Sequence, residues 1–246
     1  MYGWRARIGL LIPSVNATME PEFNRFLPDG VSVHVSRMVI EELTEGGLSK
    51  MEERLERAAK EVAGVAPDLI IFGCTSGSLI KGARHNDEMA RLIEKVTGIP
   101  AITTSQAVVE CLNQLRLRKV SVATPYNEQI NQREKEFLEE NRIQVLRIMG
   151  LGFTHYEPVF PLSKRPVSRI TLQEPYVAYK LALEAFLPEA DGTFISCTNF
   201  RTFEIIQKLE IATGKPVVTS NQATLAFALQ KLNLREPIPQ LGKLLS

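Results

Sequence analysis

Asp68-Leu69-Ile70-Ile71-Phe72-Gly73-Cys74-Thr75 and Asp191-Gly192-Thr193-Phe194-Ile195-Ser196-Cys197-Thr198 share one plan: an acidic start, an apolar run, then a cysteine and a threonine. A short apolar run closed by small polar residues reads as a buried strand. Outward from this pair the similarity continues. Lys119-Val120-Ser121-Val122-Ala123-Thr124-Pro125 repeats the pattern of Arg7-Ile8-Gly9-Leu10-Leu11-Ile12-Pro13, terminal proline included. Thr213-Gly214-Lys215-Pro216-Val217-Val218-Thr219 repeats Thr97-Gly98-Ile99-Pro100-Ala101-Ile102-Thr103, and Gln222-Ala223 repeats Gln106-Ala107. The three segments match in the same order, at offsets of 112, 123 and 116 residues. Agreement in order and spacing marks an internal duplication.

Between the strands the period changes. Leu48, Met51, Leu55, Ala58, Ala59 and Val62 recur at three and four residues, which places them on one side of a helix. Val31 to Ile40 reads as a second strand with Val31, Val33 and Val35 on one face, and helix 86–97, strand 100–104 and helix 106–116 follow. Alternating strands and helices predict an α/β fold with right-handed crossovers and mostly parallel sheets. With the duplication, the expected architecture is two similar Rossmann-like lobes, 1–115 and 116–225, related by a pseudo-two-fold axis with the active site between them. The tail 226–246 is expected to pack back on the first lobe.

The 246 residues are ample for a full core, and 44% apolar with 23% charged is ordinary for a globular protein. A formal net charge of +1, without a basic run, gives nucleic acid no electrostatic footing. No segment approaches the roughly 20 continuous apolar residues of a membrane span, so no membrane partner is expected. Met1-Tyr2-Gly3-Trp4-Arg5-Ala6-Arg7 enters the first strand without the look of a cleavable leader, and three widely spaced cysteines do not make a disulfide framework. Free thiols point to a cytoplasmic setting.

In open α/β sheets ligands bind beyond the carboxyl ends of the strands. Pro13-Ser14-Val15-Asn16, Cys74-Thr75-Ser76-Gly77-Ser78, Thr124-Pro125-Tyr126-Asn127 and Cys197-Thr198-Asn199 all lie there. The duplication should bring Cys74 and Cys197 together from opposite sides of one cleft. A lone cysteine reads as a small buried hydrophobe. Its repetition at equivalent strand ends favours chemistry, with backbone N–H donors and a helix start expected to favour thiolate. Thr75, Ser76, Thr198 and Asn199 are expected to cap the helices they open, leaving backbone N–H groups to hold a carboxylate. Asn16 and Tyr126 enter the same cleft, Asn16 equally well as the cap of the following helix and Tyr126 equally well as a half-buried aromatic. Cys111, in an apolar mid-helix stretch whose counterpart is Phe227, reads as packing. His34 and His85, the latter on an exposed turn, read as incidental, and only His155 lies in a loop able to reach the site. No metal-ligand spacing, glycine-rich phosphate loop or dinucleotide fingerprint is present, so no metal and no cofactor is expected.

At these residues the chain resembles the aspartate/glutamate racemase superfamily, and within it the maleate cis–trans isomerases and arylmalonate decarboxylases. The carriers are Arg7-Ile8-Gly9-Leu10-Leu11-Ile12-Pro13-Ser14-Val15-Asn16-Ala17-Thr18-Met19-Glu20, Cys74-Thr75-Ser76, Ala123-Thr124-Pro125-Tyr126 and Ser196-Cys197-Thr198. Asn16 and the Thr-Pro-Tyr after the fifth strand look like the isomerase branch, while decarboxylases carry glycine at the place of Cys74. The resemblance implies a cofactor-independent isomerase acting on a small carboxylate, with maleate to fumarate as lead reaction. Cys74 would be the adding thiolate, Cys197 the acid and base, and Asn16 and Tyr126 would fix carboxylates. A two-thiol racemase, a decarboxylase and a non-catalytic binding module remain alternatives. A homodimer or homotetramer is expected. One segment departs from the isomerase pattern: Gly152-Phe153-Thr154-His155-Tyr156-Glu157 stands where those enzymes carry Asp-Asn. The longer stretch after it, Pro158 to Thr171, carries Lys164, Arg165 and Arg169, which suits a ligand larger than a four-carbon diacid.

Overall fold

The computed structural model describes residues 1–154, 156–158, 166–234 and 236–246, of which 156–158 and 166 are described by their backbone alone. The first lobe runs β1 (Ala6–Pro13), α1 (Met19–Phe26), β2 (Val31–Met38), α2 (Glu45–Glu52), α3 (Leu55–Ala63), β3 (Leu69–Phe72), α4 (Thr75–Leu79), α5 (Ala83–Thr97), β4 (Ala101–Thr103) and α6 (Thr104–Gln114). The second runs β5 (Lys119–Tyr126), α7 (Glu128–Glu140), β6 (Gln144–Phe153), β7 (Tyr156–Pro158), β8 (Pro166–Ser168), α8 (Pro175–Ala185), β9 (Gly192–Ile195), α9 (Ile206–Thr213), β10 (Val217–Thr219) and α10 (Ser220–Lys231). Each lobe holds a four-stranded parallel sheet, in the orders β2-β1-β3-β4 and β6-β5-β9-β10, so the duplication is topological as well as sequential. Strands β7 and β8 pair antiparallel outside both sheets.

Matching residues do matching work. Asp68 accepts from the amide of Arg7 at 2.8 Å, and Asp191 from those of Arg118 and Lys119 at 2.9 and 2.8 Å. Thr103 and Thr219 cap α6 and α10 by accepting from the amides of Gln106 and Gln222. Gly98 and Gly214 close α5 and α9 at φ +72° and +68°, a left-handed conformation that glycine adopts without steric cost. Helices α6 and α10 lie against each other and join the lobes. Cys111 is buried at this seam, its thiol donating to the carbonyl of Ala223 at 3.5 Å.

Three details differ from the reading of the sequence. The stripe from Leu48 to Val62 is buried throughout, but two helices carry it, broken at Glu53-Arg54, where the Arg54 amide turns back to the carbonyl of Met51. The periodicity survives because both apolar faces stay buried, α3 against β1 and β2 and α2 against α4. Residues 226–231 are the last turns of α10 rather than a tail. Beyond it the chain is held mainly by the second lobe: Gln207 donates to the carbonyl of Pro239, Gln222 to that of Leu241, and the amide of Lys243 to Glu210. An ion pair of Arg5 with Glu236 reaches the first lobe. His85 stands in α5, its ring paired with Glu52 at 2.7 Å, and not on an exposed turn. His155, Lys164 and Arg165 lie outside the described residues. Among the described residues no helix is long and apolar enough to cross a membrane.

Candidate active site

Cys74 follows β3 and Cys197 follows β9, so each lobe delivers one thiol to the gap between the sheets. All eight residues singled out in the sequence, Asn16, Cys74, Thr75, Ser76, Tyr126, Cys197, Thr198 and Asn199, line one cavity of about 30 Å³. That volume suits about two water molecules. The remaining wall is formed largely by Pro13, Val15, Ile40, Leu43, Leu48 and Ile170, and no Lys, Arg or His lines the cavity among the described residues. At that volume the cavity is too small for a four-carbon diacid, so a ligand of that size must displace part of this apolar wall. Arg169 of the basic stretch lies with its guanidinium over the Phe153 ring, 4.8 Å from the centroid.

The two cysteines are held differently. Cys74 is itself the N-cap of α4, its sulfur accepting from the amide of Gly77 at 3.3 Å, with the Ser76 hydroxyl 3.8 Å away. Thr75 and Ser76 are therefore the first residues of the helix and not its caps, and their amides have no intrahelical acceptor. Gly77 leaves the sulfur its room, because a Cβ there would sit 3.0 Å from the sulfur of Cys74 and 3.1 Å from Met51, and one of them would have to shift. No helix opens at Cys197. A turn closed by the Phe200 amide on the carbonyl of Cys197 intervenes, and helical structure resumes only at Phe203–Ile205.

Thr198 and Asn199 consequently serve as struts rather than caps. The Thr198 hydroxyl donates to the carbonyl of Gly73 at 3.2 Å and accepts from the amide of Asn16 at 3.0 Å. Asn199 accepts from the Ala17 amide and donates to the Val15 carbonyl and the Thr171 hydroxyl. Asn16 does cap α1, its carbonyl oxygen accepting from the amides of Thr18 and Met19 at 3.0 Å, while its side-chain nitrogen keeps a second hydrogen beyond the one given to Thr198. Thr75 donates to the Ser220 hydroxyl, which in turn accepts from the Cys197 amide. The site is thus welded across the lobes by buried hydrogen bonds.

The electrostatics reverse one expectation. Burial pushes the Cys74 thiol up to about 11, against the Gly77 amide and the Ser76 hydroxyl, which favour thiolate. Burial likewise pushes Cys197 up to about 12, against hydrogen bonds from Tyr126 and the Asn199 amide, with Cys74 and Glu134 raising it further. The donors foreseen for thiolate are present, but in the closed cavity desolvation outweighs them. Tyr126, fully buried, is held well above its ordinary range, first by burial and then by the neighbouring Cys197 and Glu134.

Four residues of this neighbourhood were not foreseen. Glu22 of α1 accepts from the amides of Thr202 and Phe203 and from Asn221 at 2.6 Å, and Asn221 also holds the carbonyl of Thr198, so a buried carboxyl anchors the Cys197 turn. Burial raises it to about 7, while its donors pull it down. Glu134 of α7 is fully buried beside Ser196. Both acids sit on apolar helical stripes, Glu22 with Met19 and Phe23, Glu134 with Ile130, Phe137 and Leu138, which is the sequence signal that finds them. Ser220 and Thr171 offer no comparable signal.

A family model described as arylmalonate decarboxylase matches residues 8–245. The chain is 28% identical to the maleate isomerase of Nocardia farcinica over 97% of this chain and 95% of that protein. It is 28% identical to the arylmalonate decarboxylase of Bordetella bronchiseptica over 88% of this chain and 86% of that protein. Among solved structures, a liganded double mutant of arylmalonate decarboxylase superposes with a TM-score of 0.88 at 25% identity, covering 98% of this chain and 99% of that one.

Proposed function

The chain belongs to the arylmalonate decarboxylase family, a family of enzymes, and from that premise we propose a two-cysteine cis–trans isomerase of a small unsaturated carboxylate, with maleate as lead substrate. The observation that carries the reading is the pair of thiols, Cys74 and Cys197, delivered to one cavity by two duplicated strand ends. A binder needs neither thiol, and the decarboxylases the chain resembles carry glycine at the first of these positions.

In this reading Cys74, as thiolate, adds to one carbon of the double bond, and the electron pair moves onto the adjacent carboxylate. The unpaired amides of Thr75 and Ser76 receive that charge, and the spare hydrogen of the Asn16 amide and the Tyr126 hydroxyl hold the carboxylates. Cys197 gives its proton to the other carbon and becomes the thiolate, leaving a saturated adduct on Cys74. Rotation about the central bond follows. Cys197 then takes a proton back, the double bond re-forms in the trans arrangement, and Cys74 leaves as thiolate. Atoms and charge balance over the cycle, and one thiol of the pair must be ionised at its start. With both thiols raised by burial, that ionisation belongs to the moment of substrate entry, when the closed cavity opens. Three unpaired cysteines suit a reducing compartment, and we assign the protein there.

A second reading, decarboxylation of an arylmalonate, is favoured by the apolar wall of Pro13, Val15, Ile40, Leu43, Leu48 and Ile170. Proton NMR in heavy water with maleate, aspartate, glutamate, hydantoins and arylmalonates separates the readings. Fumarate formed from maleate supports isomerisation. Deuterium wash-in with inversion at an α-carbon transfers the pair to racemase chemistry, and loss of a carboxylate establishes the second reading. If no compound reacts but one shields Cys74 from alkylation, the site is a binding module.

A further inference from the structure

Glu134 is an acid with no apparent structural employment. Its side chain is fully buried, and among the described residues neither carboxyl oxygen meets full hydrogen-bond geometry; the Ser196 hydroxyl, also without such a partner, lies close enough to favour the charged form weakly, against the larger effect of burial. A carboxylate in that setting loses the hydration that stabilises its charge and gains little in return. Among the described residues no cation is found to favour its charged form. Arg133, next in the helix, is turned outward to Glu45 and Glu136, and Arg147 of β6 donates to the carbonyl of Glu184. The titratable groups it acts on are Tyr126 of β5 and Cys197 beyond β9, and Cys74 at the head of α4 acts on both of these in turn. Ser196 is the residue immediately before Cys197, and the acid is near enough to the second thiol to raise it.

We propose that Glu134 is a positioning residue that serves as a neutral acid, sealed behind Cys197 and Tyr126 so that negative charge in this pocket is reserved for the Cys197 thiolate. The inference rests on the reading of Cys197 as the proton-transferring thiol. With Glu134 protonated, the thiolate formed when Cys197 releases its proton is the one charge on its side of the cavity. With Glu134 ionised, the same thiolate forms against a buried like charge, with no cation among the described residues to offset it. Burial holds the Glu134 carboxyl up near 8, so the change falls just above neutrality.

Alkylation by iodoacetamide, mapped by mass onto Cys74, Cys111 and Cys197 between pH 7 and 10, tests this without any substrate. It therefore fails or succeeds independently of the isomerase reading. In Glu134→Gln and Glu134→Leu, Cys197 should react about tenfold faster than in the parent at pH 9, relative to Cys74, corresponding to a thiol titration lowered by about one pH unit. Glu134→Asp, which keeps an ionisable group, should restore most of the parental profile. An unchanged Cys197 profile in both neutral variants overturns the proposal. Failure of both to fold overturns it as well, because an acid held among the described residues by no cation, and by Ser196 alone, offers little whose removal should unfold the chain.

Discussion

Cys74 and Cys197 occupy equivalent strand ends, yet their backbones are of opposite hand: φ is −146° at Cys74 and +99° at Cys197. The duplication is broken at the residues that give it chemical meaning. Cys74 opens a helix and takes one of its amides on sulfur. Cys197 enters a tight turn through a conformation that side chains other than glycine rarely adopt, at a cost on the order of 1–3 kcal/mol. Strain of that size persists only where the surroundings enforce it, and here Asn199, Ser220 and the Glu22–Asn221 anchor do so.

This asymmetry predicts an asymmetric response to glycine. Cys197→Gly relieves strain, whereas Cys74→Gly removes a helix cap from unstrained backbone. Urea unfolding should find Cys197→Gly the more stable of the two by about 1 kcal/mol or more. Equal losses, or the reverse order, would show that the positive φ at Cys197 stores nothing.

Neither thiol should be reactive in the unliganded protein at neutral pH. With folded values near 11 and 12, alkylation of Cys74 and Cys197 should stay slow at pH 7.5 and rise roughly tenfold per pH unit above it. Cys111, raised to about 12 by burial and the nearby Glu110, should label only on unfolding. Fast labelling of Cys74 at pH 7 would mean that its helix donors outweigh desolvation after all.

Gly77→Ala places a Cβ 3.0 Å from the Cys74 sulfur on one side and near Met51 on the other. Alanine suits a helix interior better than glycine by roughly 0.5–1 kcal/mol, so the fold should survive. The thiol, however, must move, and turnover should fall at least about tenfold with circular dichroism unchanged. Retained activity would place the reacting sulfur elsewhere than the N-cap position.

Stability should decline with rising pH across neutrality. Glu22 and Glu134 are held at about 7 and about 8 against an ordinary 4.5, so the fold favours their protonated forms. That contribution is complete below pH 4.5 and is lost as pH climbs through 7 and 8. Urea midpoints at pH 5 and 8.5 should differ in favour of pH 5, and Glu134→Gln should shrink the gap by an amount on the order of a few kcal/mol. A gap unchanged in the variant would show that Glu134 is already ionised or solvated.

The lobes and their sheets were legible because strand, turn and helix signals are local and each occurs twice. The eight cavity residues were legible for the same reason, since the carboxyl ends of parallel strands converge whatever the loops do. What escaped depends on contacts between distant segments. Asn199 is built into the loop between β1 and α1 through Ala17 and Val15, more than 180 residues away, so its role as a strut could not be read from its neighbours. The charge state of Cys74 escaped because local donors are visible in sequence and burial by Leu48, Ile40 and Ile170 is not. Glu134 and Glu22 were readable as acids on apolar stripes, but whether a stripe faces a core or a site is decided by the lobe packed against it.

The central claim is that Cys74 forms the carbon–sulfur bond and Cys197 moves the proton. It is tested most directly by incubating Cys197→Ser with maleate and mapping the intact and digested protein by mass. The account predicts one substrate mass added to the peptide carrying Cys74, absent from Cys74→Ser, with little or no fumarate released. Substrate mass on the Cys197 peptide of the parent enzyme, or full turnover by Cys74→Ser, would contradict it.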